Sequence, residues 1–329
     1  MHIDTTTISS YSETLSQVQL GKNKEDDKLP QLKLLLMFGE LSGLPFYYRK
    51  LAGNIPDSKT VRNLLAELEI LDCNKIKLVM DRGFYSESNI NDLYKNHIKF
   101  LIGVKISLVL VRDALDSIYD TMRSFENYSG SHDIYAYTVT SEWRYSLKET
   151  RRIYIHLYYN IGKAAEDERK MDVLLSSLRE ELLSGKPLEK NRKQYEKYFD
   201  VKQTPKRGTR VTPKNDAISQ AKRYYGYFAL LTNEKMEALT ALELYRAKDV
   251  VEKAFGNLKE RLDCRRTLVS SEQSLDGKLF VEFIALIYLS YIHKQMQEKS
   301  LGIPENLISL TYNSHFKALK IGFRGCPFV

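Results

Sequence analysis

The stretch Lys77-Leu78-Val79-Met80-Asp81-Arg82-Gly83-Phe84 (KLVMDRGF) is the most informative part of the sequence for the fold. Its apolar half predicts a short buried strand, and the glycine turn that follows leaves Asp81 at the rim of a sheet. On the N-terminal side, apolar residues recur at helical spacing between residues 58 and 71. On the C-terminal side, a capped helix is predicted over residues 86–95 and a strand over residues 100–106. Strands and helices therefore alternate around Asp81.

Three more strands are predicted ahead of this stretch. Residues 2–8 are rich in β-branched side chains, and residues 33–40 and 44–51 form two extended runs separated by a short link of hairpin type. The complete order is βββαβαβ. This order favours an α/β fold with a mixed sheet.

Beyond residue 106 the pattern changes to antiparallel strands separated by Ser, Gly and Asn turns, predicted over residues 134–139, 143–145 and 152–159. A long helix is expected over about residues 164–183, inside this region. The stretch from Lys186 to Arg223 contains 12 Lys and Arg against 4 Asp and Glu. Such a basic stretch forms either a solvated loop or a surface that follows phosphates.

The remaining sequence is mainly helical. A strand over residues 225–232 is followed by helical patterns over about residues 238–262 and 278–297, which suit a second α layer on the first sheet. The tail from Leu301 onwards has only a short helical pattern, over about residues 314–320.

Composition excludes several classes of protein. The chain has 329 residues, 43% of them hydrophobic, and a formal net charge of +8. This length and hydrophobic content are sufficient for about two domains with buried cores, so the chain is not disordered. It lacks the roughly 18 consecutive apolar residues of a membrane span and the pattern of a secretory leader, so we expect a soluble, cytoplasmic protein. Cys73, Cys264 and Cys326 have neither disulfide-framework nor zinc-finger spacing.

One helical segment carries a stripe of polar side chains. At about 100° per residue, Lys248, Glu252 and Lys259 fall about 60°, 20° and 40° from Tyr245, all on one face. A Glu beside cations at the edge of a core could ligate a metal while the lysines hold phosphates. The alternative is an ordinary i,i+4 salt bridge between Lys248 and Glu252 on a solvated face.

These residues resemble a known family. The spacing Tyr245-(2)-Lys248-(3)-Glu252-(6)-Lys259 is similar to the Y-(2)-R-(3)-E-(6)-K signature of bacterial insertion-sequence DDE transposases. The segments around Asp81 and Asp4 resemble those that carry the two catalytic aspartates of that family. In that family a β-rich insertion domain interrupts a ribonuclease H-like catalytic domain.

The resemblance implies a role for each residue of the signature. Asp4, Asp81 and Glu252 would be the catalytic carboxylates and would bind two Mg²⁺ ions, for which Mn²⁺ can substitute. Tyr245, Lys248 and Lys259, by position, would contact phosphates of the transposon-end DNA. Lys248 departs from the usual Arg and lacks its planar, bidentate fork. The partners would be the terminal repeats, the target DNA and a second copy of the chain in a homodimer.

Two further residues have open interpretations. Trp143 is the only tryptophan and falls in the expected insertion domain. It either fills a core or stacks on a flipped base, as an aromatic residue does in relatives that form a DNA hairpin. Arg82, next to Asp81, either contacts DNA or pairs with a nearby carboxylate.

The resemblance also predicts boundaries and leaves three functional hypotheses. The catalytic domain would comprise residues 1–106 and 235–298, the insertion domain residues 107–234, and a C-terminal tail residues 299–329. The leading hypothesis is a transposase that cuts transposon ends and joins them to target DNA. Because only three residues precede Asp4, an N-terminally truncated, inactive DNA-binding remnant is the second hypothesis. A metal-dependent nuclease of the same fold is the third.

Overall fold

The chain forms two compact units. The computed structural model describes residues 1–21, 29–70, 76–146, 149–204, 208–262 and 264–298. Unit 1 contains Met1–Ile102 and the chain from Glu243 onwards, and unit 2 contains Gly103–Leu242. The predicted tail, together with Cys73 and Cys326, lies outside the described residues.

The first third of the chain has the predicted βββαβαβ order. Its elements are β1 (His2–Ser10), β2 (Gln31–Phe38), β3 (Pro45–Ala52), α1 (Val61–Ile70), β4 (Lys77–Met80), α2 (Glu87–Lys95) and β5 (Lys99–Val104). The Ser86 hydroxyl caps α2 by accepting a hydrogen bond from the backbone N–H of Asn89 at 3.2 Å.

The sheet of unit 1 is mixed. Its strands lie in the order β3-β2-β1-β4-β5. β2 runs antiparallel to both of its neighbours, whereas β1, β4 and β5 are parallel to one another. This order confirms the predicted ribonuclease H-like mixed sheet. It places the N-terminal part of β1 beside the C-terminal end of β4 in the middle of the sheet.

Unit 2 interrupts this arrangement with a largely antiparallel region. Its elements are α3 (Val109–Ile118), β6 (Tyr128–Ser129), β7 (Ile134–Arg144), β8 (Thr150–Tyr159), α4 (Ile161–Leu183), α5 (Arg192–Tyr198), β9 (Phe199–Thr204), β10 (Gly208–Pro213), α6 (Asn215–Lys222) and β11 (Tyr227–Thr232). Within this unit the strand order is β11-β8-β7-β6, and β9 pairs with β10 as a separate hairpin. The two predicted strands over residues 134–145 are one strand, β7.

The chain continues with α7 (Ala238–Arg246), α8 (Asp249–Gly256), β12 (Arg266–Thr267) and α9 (Glu272–Glu298). The predicted continuous helix over residues 238–262 is wrong. α7 and α8 are separate, Lys248 is the N-cap of α8, and a π-helical turn follows over Asn257–Arg261. No described helix has the length and apolarity needed to cross a membrane.

The two faces of the sheet have different partners. Ile8 on β1 and Leu34 and Leu36 on β2 pack against the buried side of α8 and against α9. Because side chains alternate along a strand, Asp4 shares the face of Ile8 and points towards α8. On the opposite face the Thr5 hydroxyl donates to Asp57 at 2.9 Å.

A buried histidine in unit 2 makes the stability of that unit dependent on pH. His156 on β8 is completely buried, and its Nδ1 lies 2.8 Å from the Thr138 hydroxyl. Among the described residues its Nε2 has no hydrogen-bond partner. Burial lowers its pKa from 6.5 to about 4. The unfolded chain therefore binds more protons than the folded chain between these two values.

We expect the free energy of unfolding to fall by up to about 3 kcal/mol as the pH is lowered from 6.5 to 4. The contribution of His156 is complete above pH 6.5 and is lost on acidification, because only the unfolded imidazole gains a proton. Urea unfolding of wild type and His156→Gln at pH 7.5 and pH 5 measures this contribution. The variant should lose less stability on acidification than wild type, and His132→Gln should behave as wild type. Equal losses in all three proteins would contradict the prediction.

Candidate active site

Two aspartates lie side by side where β1 and β4 meet. In the parallel pairing of these strands Ile3 is opposite Met80, so the next residues along each strand are Asp4 and Asp81. Asp4 is only 7% exposed, and its Oδ1 accepts a hydrogen bond from the backbone N–H of Thr5 at 2.7 Å. Asp81 follows the last residue of β4 in an extended conformation. The sheet register therefore brings together two carboxylates that are 77 positions apart.

Tyr245 near the end of α7 holds the second of these aspartates. Its hydroxyl donates to Oδ1 of Asp81 at 2.7 Å. Burial, the hydrogen bond to Asp81 and the negative charges of Asp81 and Asp4 raise the pKa of Tyr245 far above its ordinary value. The phenol therefore remains protonated at neutral pH and acts only as a donor towards Asp81.

Lys248 lies between all three predicted catalytic carboxylates. Its Nζ is 3.3 Å from Glu252, 3.6 Å from Asp81 and 3.8 Å from Asp4. The residue is only 5% exposed. Burial lowers the pKa of Lys248, but the carboxylates of Asp4, Asp81 and Glu252 outweigh burial and raise the pKa above its usual range. Lys248 is therefore a cation that partly neutralises the acidic cluster.

The break between α7 and α8 explains this position. Lys248 is the N-cap of α8, and Glu252 lies in the first turn, where a carboxylate also interacts favourably with the helix dipole. Val251 and Phe255 on α8 are buried in the core and fix the helix on the sheet. The salt bridge expected on a solvated face is thus present, but it is part of a larger cluster that includes Asp4 and Asp81.

The cluster keeps an excess of negative charge and an open side. Three carboxylates against one lysine give a formal charge of −2, by 1 − 3. The side chain of Asp4 is 10% exposed, whereas those of Asp81 and Glu252 are 45% and 58% exposed. Carboxylate oxygens are the ligands that Mg²⁺ prefers, so the donor set fits a divalent cation. In the described residues, however, no three acidic, His or Cys side chains are grouped as metal ligands.

The other predicted DNA contacts are distributed differently. Lys259 lies in the π-helical turn, where its position on a regular helical face no longer applies. Arg82 is exposed and has no ion pair within the described part of the chain. It lies near the cluster, because its positive charge opposes the rise in the pKa of Tyr245. Trp143 is on β7 of unit 2 and is half-buried, outside the buried core.

A supporting group beneath the site was not predicted from the sequence. Asp57, just before α1, accepts hydrogen bonds from the Thr5 hydroxyl at 2.9 Å and from Lys33 Nζ at 3.0 Å. Thr5 is the neighbour of Asp4, so this network fixes β1 next to Asp4. The only sequence signal for this network is Lys33, a lysine directly before the apolar run of β2. In the structure Lys33 is only 8% exposed.

The basic stretch of unit 2 is partly neutralised. Four of its cations pair with carboxylates of the same unit: Arg192 with Glu189 and Glu196, Lys214 with Asp200, Lys222 with Asp172, and Arg223 with Asp116. These pairs reduce the positive charge that the stretch offers to phosphates.

Comparison with known proteins identifies the family of the chain. No curated protein matches the chain in sequence. Among solved structures, a piggyBac transposase in a synaptic complex with hairpin DNA is similar, with a TM-score of 0.44 and 9% sequence identity. That match covers 100% of this chain, which spans 54% of the piggyBac chain. The profile of a protein family described as the transposase DDE domain matches residues 2–288. The chain therefore belongs to the transposase DDE domain family.

Proposed function

We propose that the protein is a DNA transposase that cuts transposon ends and joins them to target DNA in a reaction that depends on Mg²⁺. The observation that carries the proposal is the convergence of Asp4, Asp81 and Glu252 on one point, within 3.8 Å of Lys248 Nζ. Membership of the DDE family supports phosphoryl transfer on DNA as the class of reaction.

Asp4, Asp81 and Glu252 are the residues that would hold two Mg²⁺ ions, or Mn²⁺ in their place. The excess negative charge of the cluster and its open side at Asp81 and Glu252 fit divalent cations. When bound, such ions offset negative charge at the phosphate and lower the pKa of coordinated water.

The residues around the carboxylates have positioning roles in this proposal. Tyr245 fixes the orientation of Asp81 through a hydrogen bond of 2.7 Å. Lys248 would turn from the carboxylates to a DNA phosphate once divalent cations replace it as counter-ion. Arg82, exposed and without an ion pair in the described structure, is a second cation for phosphate, and Lys259 a third. Trp143 remains a candidate for base stacking from unit 2.

The chemistry needs no covalent intermediate on the protein. In the first step the oxygen of water bonds to phosphorus, the bond to the 3′-oxygen breaks, and that oxygen leaves with a proton as a free 3′-hydroxyl. In the second step this hydroxyl attacks a phosphodiester of target DNA and displaces another 3′-oxygen. A homodimer would bring two transposon ends together for these steps.

The test uses the purified protein and linear DNA carrying the terminal repeats of its element. We expect nicking and cleavage at the repeats with Mg²⁺ or Mn²⁺, and no reaction after chelation by EDTA, because the carboxylates alone cannot stabilise the charge at phosphorus. Gel analysis with a labelled 3′ end and a plasmid target measures cleavage and joining separately.

Each result decides between functions. Joined products support the transposase. Cleavage without joining would identify a nuclease of the same fold, and cleavage that persists in EDTA would contradict the proposed role of the carboxylates.

A further inference from the structure

Unit 2 carries a row of tyrosines that crosses four neighbouring strands. The pairing register places Tyr128 opposite Tyr135, Tyr135 opposite Tyr159, and Tyr159 opposite Tyr227. Their ring centroids are 5.1, 6.0 and 4.8 Å apart in that order. With strands spaced by about 4.8 Å, the row extends for about 14 Å across the sheet.

Two more rings and two arginines extend the row. Tyr119 lies 5.9 Å from Tyr227 and 6.5 Å from Tyr224. The guanidinium of Arg123 lies 5.4 Å above the ring of Tyr159, and that of Arg223 lies 4.5 Å above the ring of Tyr119. We call the row with Tyr119, Tyr224, Arg123 and Arg223 the tyrosine–arginine patch.

The two arginines of the patch differ in their pairing with carboxylates. Arg223 pairs with Asp116 at 2.9 Å, and the Tyr224 hydroxyl donates to the same carboxylate at 2.8 Å. The second carboxylate beside the patch, Asp133, accepts from the Tyr128 hydroxyl at 2.9 Å. Arg123 is exposed and, within the described residues, pairs with no carboxylate. Its cation therefore rests on the aromatic face of Tyr159, and no carboxylate among the described residues pairs with it.

This arrangement suits the binding of phosphate groups. A guanidinium stacked on an aromatic ring is held in one orientation, and its N–H edge remains available for a bidentate contact with a phosphate. Tyrosine hydroxyls are also common donors to phosphate oxygens in DNA complexes. The rings contact one another and the arginines, so their faces are largely occupied and leave little area for stacking on bases.

We propose that the tyrosine–arginine patch binds the sugar–phosphate backbone of duplex DNA without reading its sequence. The proposal rests on the proposed function, which supplies DNA as the partner. It assigns to unit 2 a phosphate contact that includes neither the carboxylate cluster nor Trp143 and that shares only Arg223 with the basic stretch from Lys186 to Arg223. An acidic segment of a protein is the competing ligand for the same chemistry.

The test is Arg123→Gln in the full chain, measured by fluorescence anisotropy with a short labelled duplex of mixed sequence. We expect about tenfold weaker binding, because one phosphate contact is lost. For the same reason the slope of the logarithm of the binding constant against the logarithm of the salt concentration should become smaller by about one. Arg123→Lys should recover part of the affinity, since it retains the charge without the fork. Arg179→Gln, which removes an exposed arginine on α4 outside the patch, is the matched control and should bind as wild type.

Several results would overturn the proposal. Equal affinities for wild type and Arg123→Gln would do so, as would equal losses for Arg123→Gln and Arg179→Gln. Binding to a poly-glutamate peptide that depends on Arg123, with unchanged binding to DNA, would assign the patch to a protein partner. If wild type cuts terminal-repeat DNA while the variants bind as wild type, only the patch proposal fails. If wild type binds no DNA, both proposals fail.

Discussion

Replacing Asp81 with asparagine is expected to lower the rate of DNA cleavage by about a thousandfold or more, the scale seen when a central catalytic group is removed. The substitution keeps the size of the side chain and an oxygen that can accept the hydrogen bond from Tyr245. It removes the negative charge with which, in the proposed function, Asp81 would hold a divalent cation. The loss should therefore appear in the chemical step, measured as single-turnover cleavage of terminal-repeat DNA in saturating Mg²⁺.

The control for Asp81→Asn is Asp113→Asn. Asp113 is an exposed aspartate on α3 and lies outside the cluster, so its replacement should leave cleavage at the rate of wild type. Affinity for the duplex should be unchanged or slightly higher in Asp81→Asn, because the variant repels phosphates less than wild type does. Cleavage by Asp81→Asn at a rate close to that of wild type would exclude the carboxylate cluster as the catalytic site.

The sequence predicts the positions of two of the three carboxylates because their signals are local. Three apolar residues before Asp81 and a glycine turn after it are sufficient to place this carboxylate at the end of a strand. A β-branched run predicts the strand that carries Asp4 near its start. Their distance from each other depends on which strands are neighbours, and the resemblance to the DDE family supplied that information.

The position of Lys248 could not be derived in the same way. The placement of residues 245–259 at about 100° per residue assumes one continuous α-helix. The structure instead has a break at Lys248 and a π-helical turn at Asn257–Arg261. The break places Lys248 at an N-cap, from which its side chain reaches Asp4 and Asp81. The spacing of the signature therefore survives. In the structure Lys248 is a counter-ion of the carboxylates, and its contact with DNA stays a prediction.

The tyrosine–arginine patch shows a second limit of sequence analysis. Tyr135, Tyr159 and Tyr227 are ordinary strand residues when each strand is considered alone. They form a row only because the registers of three strand pairs align them. One of these pairs, β8 with β11, joins Tyr159 to Tyr227, which is 68 positions further along the chain. Composition instead draws attention to Trp143, the only tryptophan, which is not part of this row.

The role of Lys248 as counter-ion leads to a prediction about stability. Lys248→Met is expected to lower the free energy of unfolding of the metal-free protein by about 3 kcal/mol, because it leaves Asp4 buried beside two other carboxylates without a cation. Lys33→Met is the matched control. Lys33 is a buried lysine of the same unit, 8% exposed, and its Nζ lies 3.0 Å from Asp57, on the face of the sheet opposite to the cluster. Lys33→Met should lose a similar amount of free energy of unfolding.

Mg²⁺ separates the two variants. A ligand that binds only the folded state stabilises it by an amount that grows with its affinity, about 2.7 kcal/mol at a hundred times its Kd. In wild type the cation must first displace the Lys248 ammonium, whereas in Lys248→Met the three carboxylates have no competing cation. Urea unfolding in EDTA and in Mg²⁺ should therefore show a larger gain for Lys248→Met than for wild type, and a gain for Lys33→Met equal to that of wild type. If Mg²⁺ stabilises Lys248→Met no more than wild type, Lys248 does not compete with metal, and its ammonium would be a permanent part of the site.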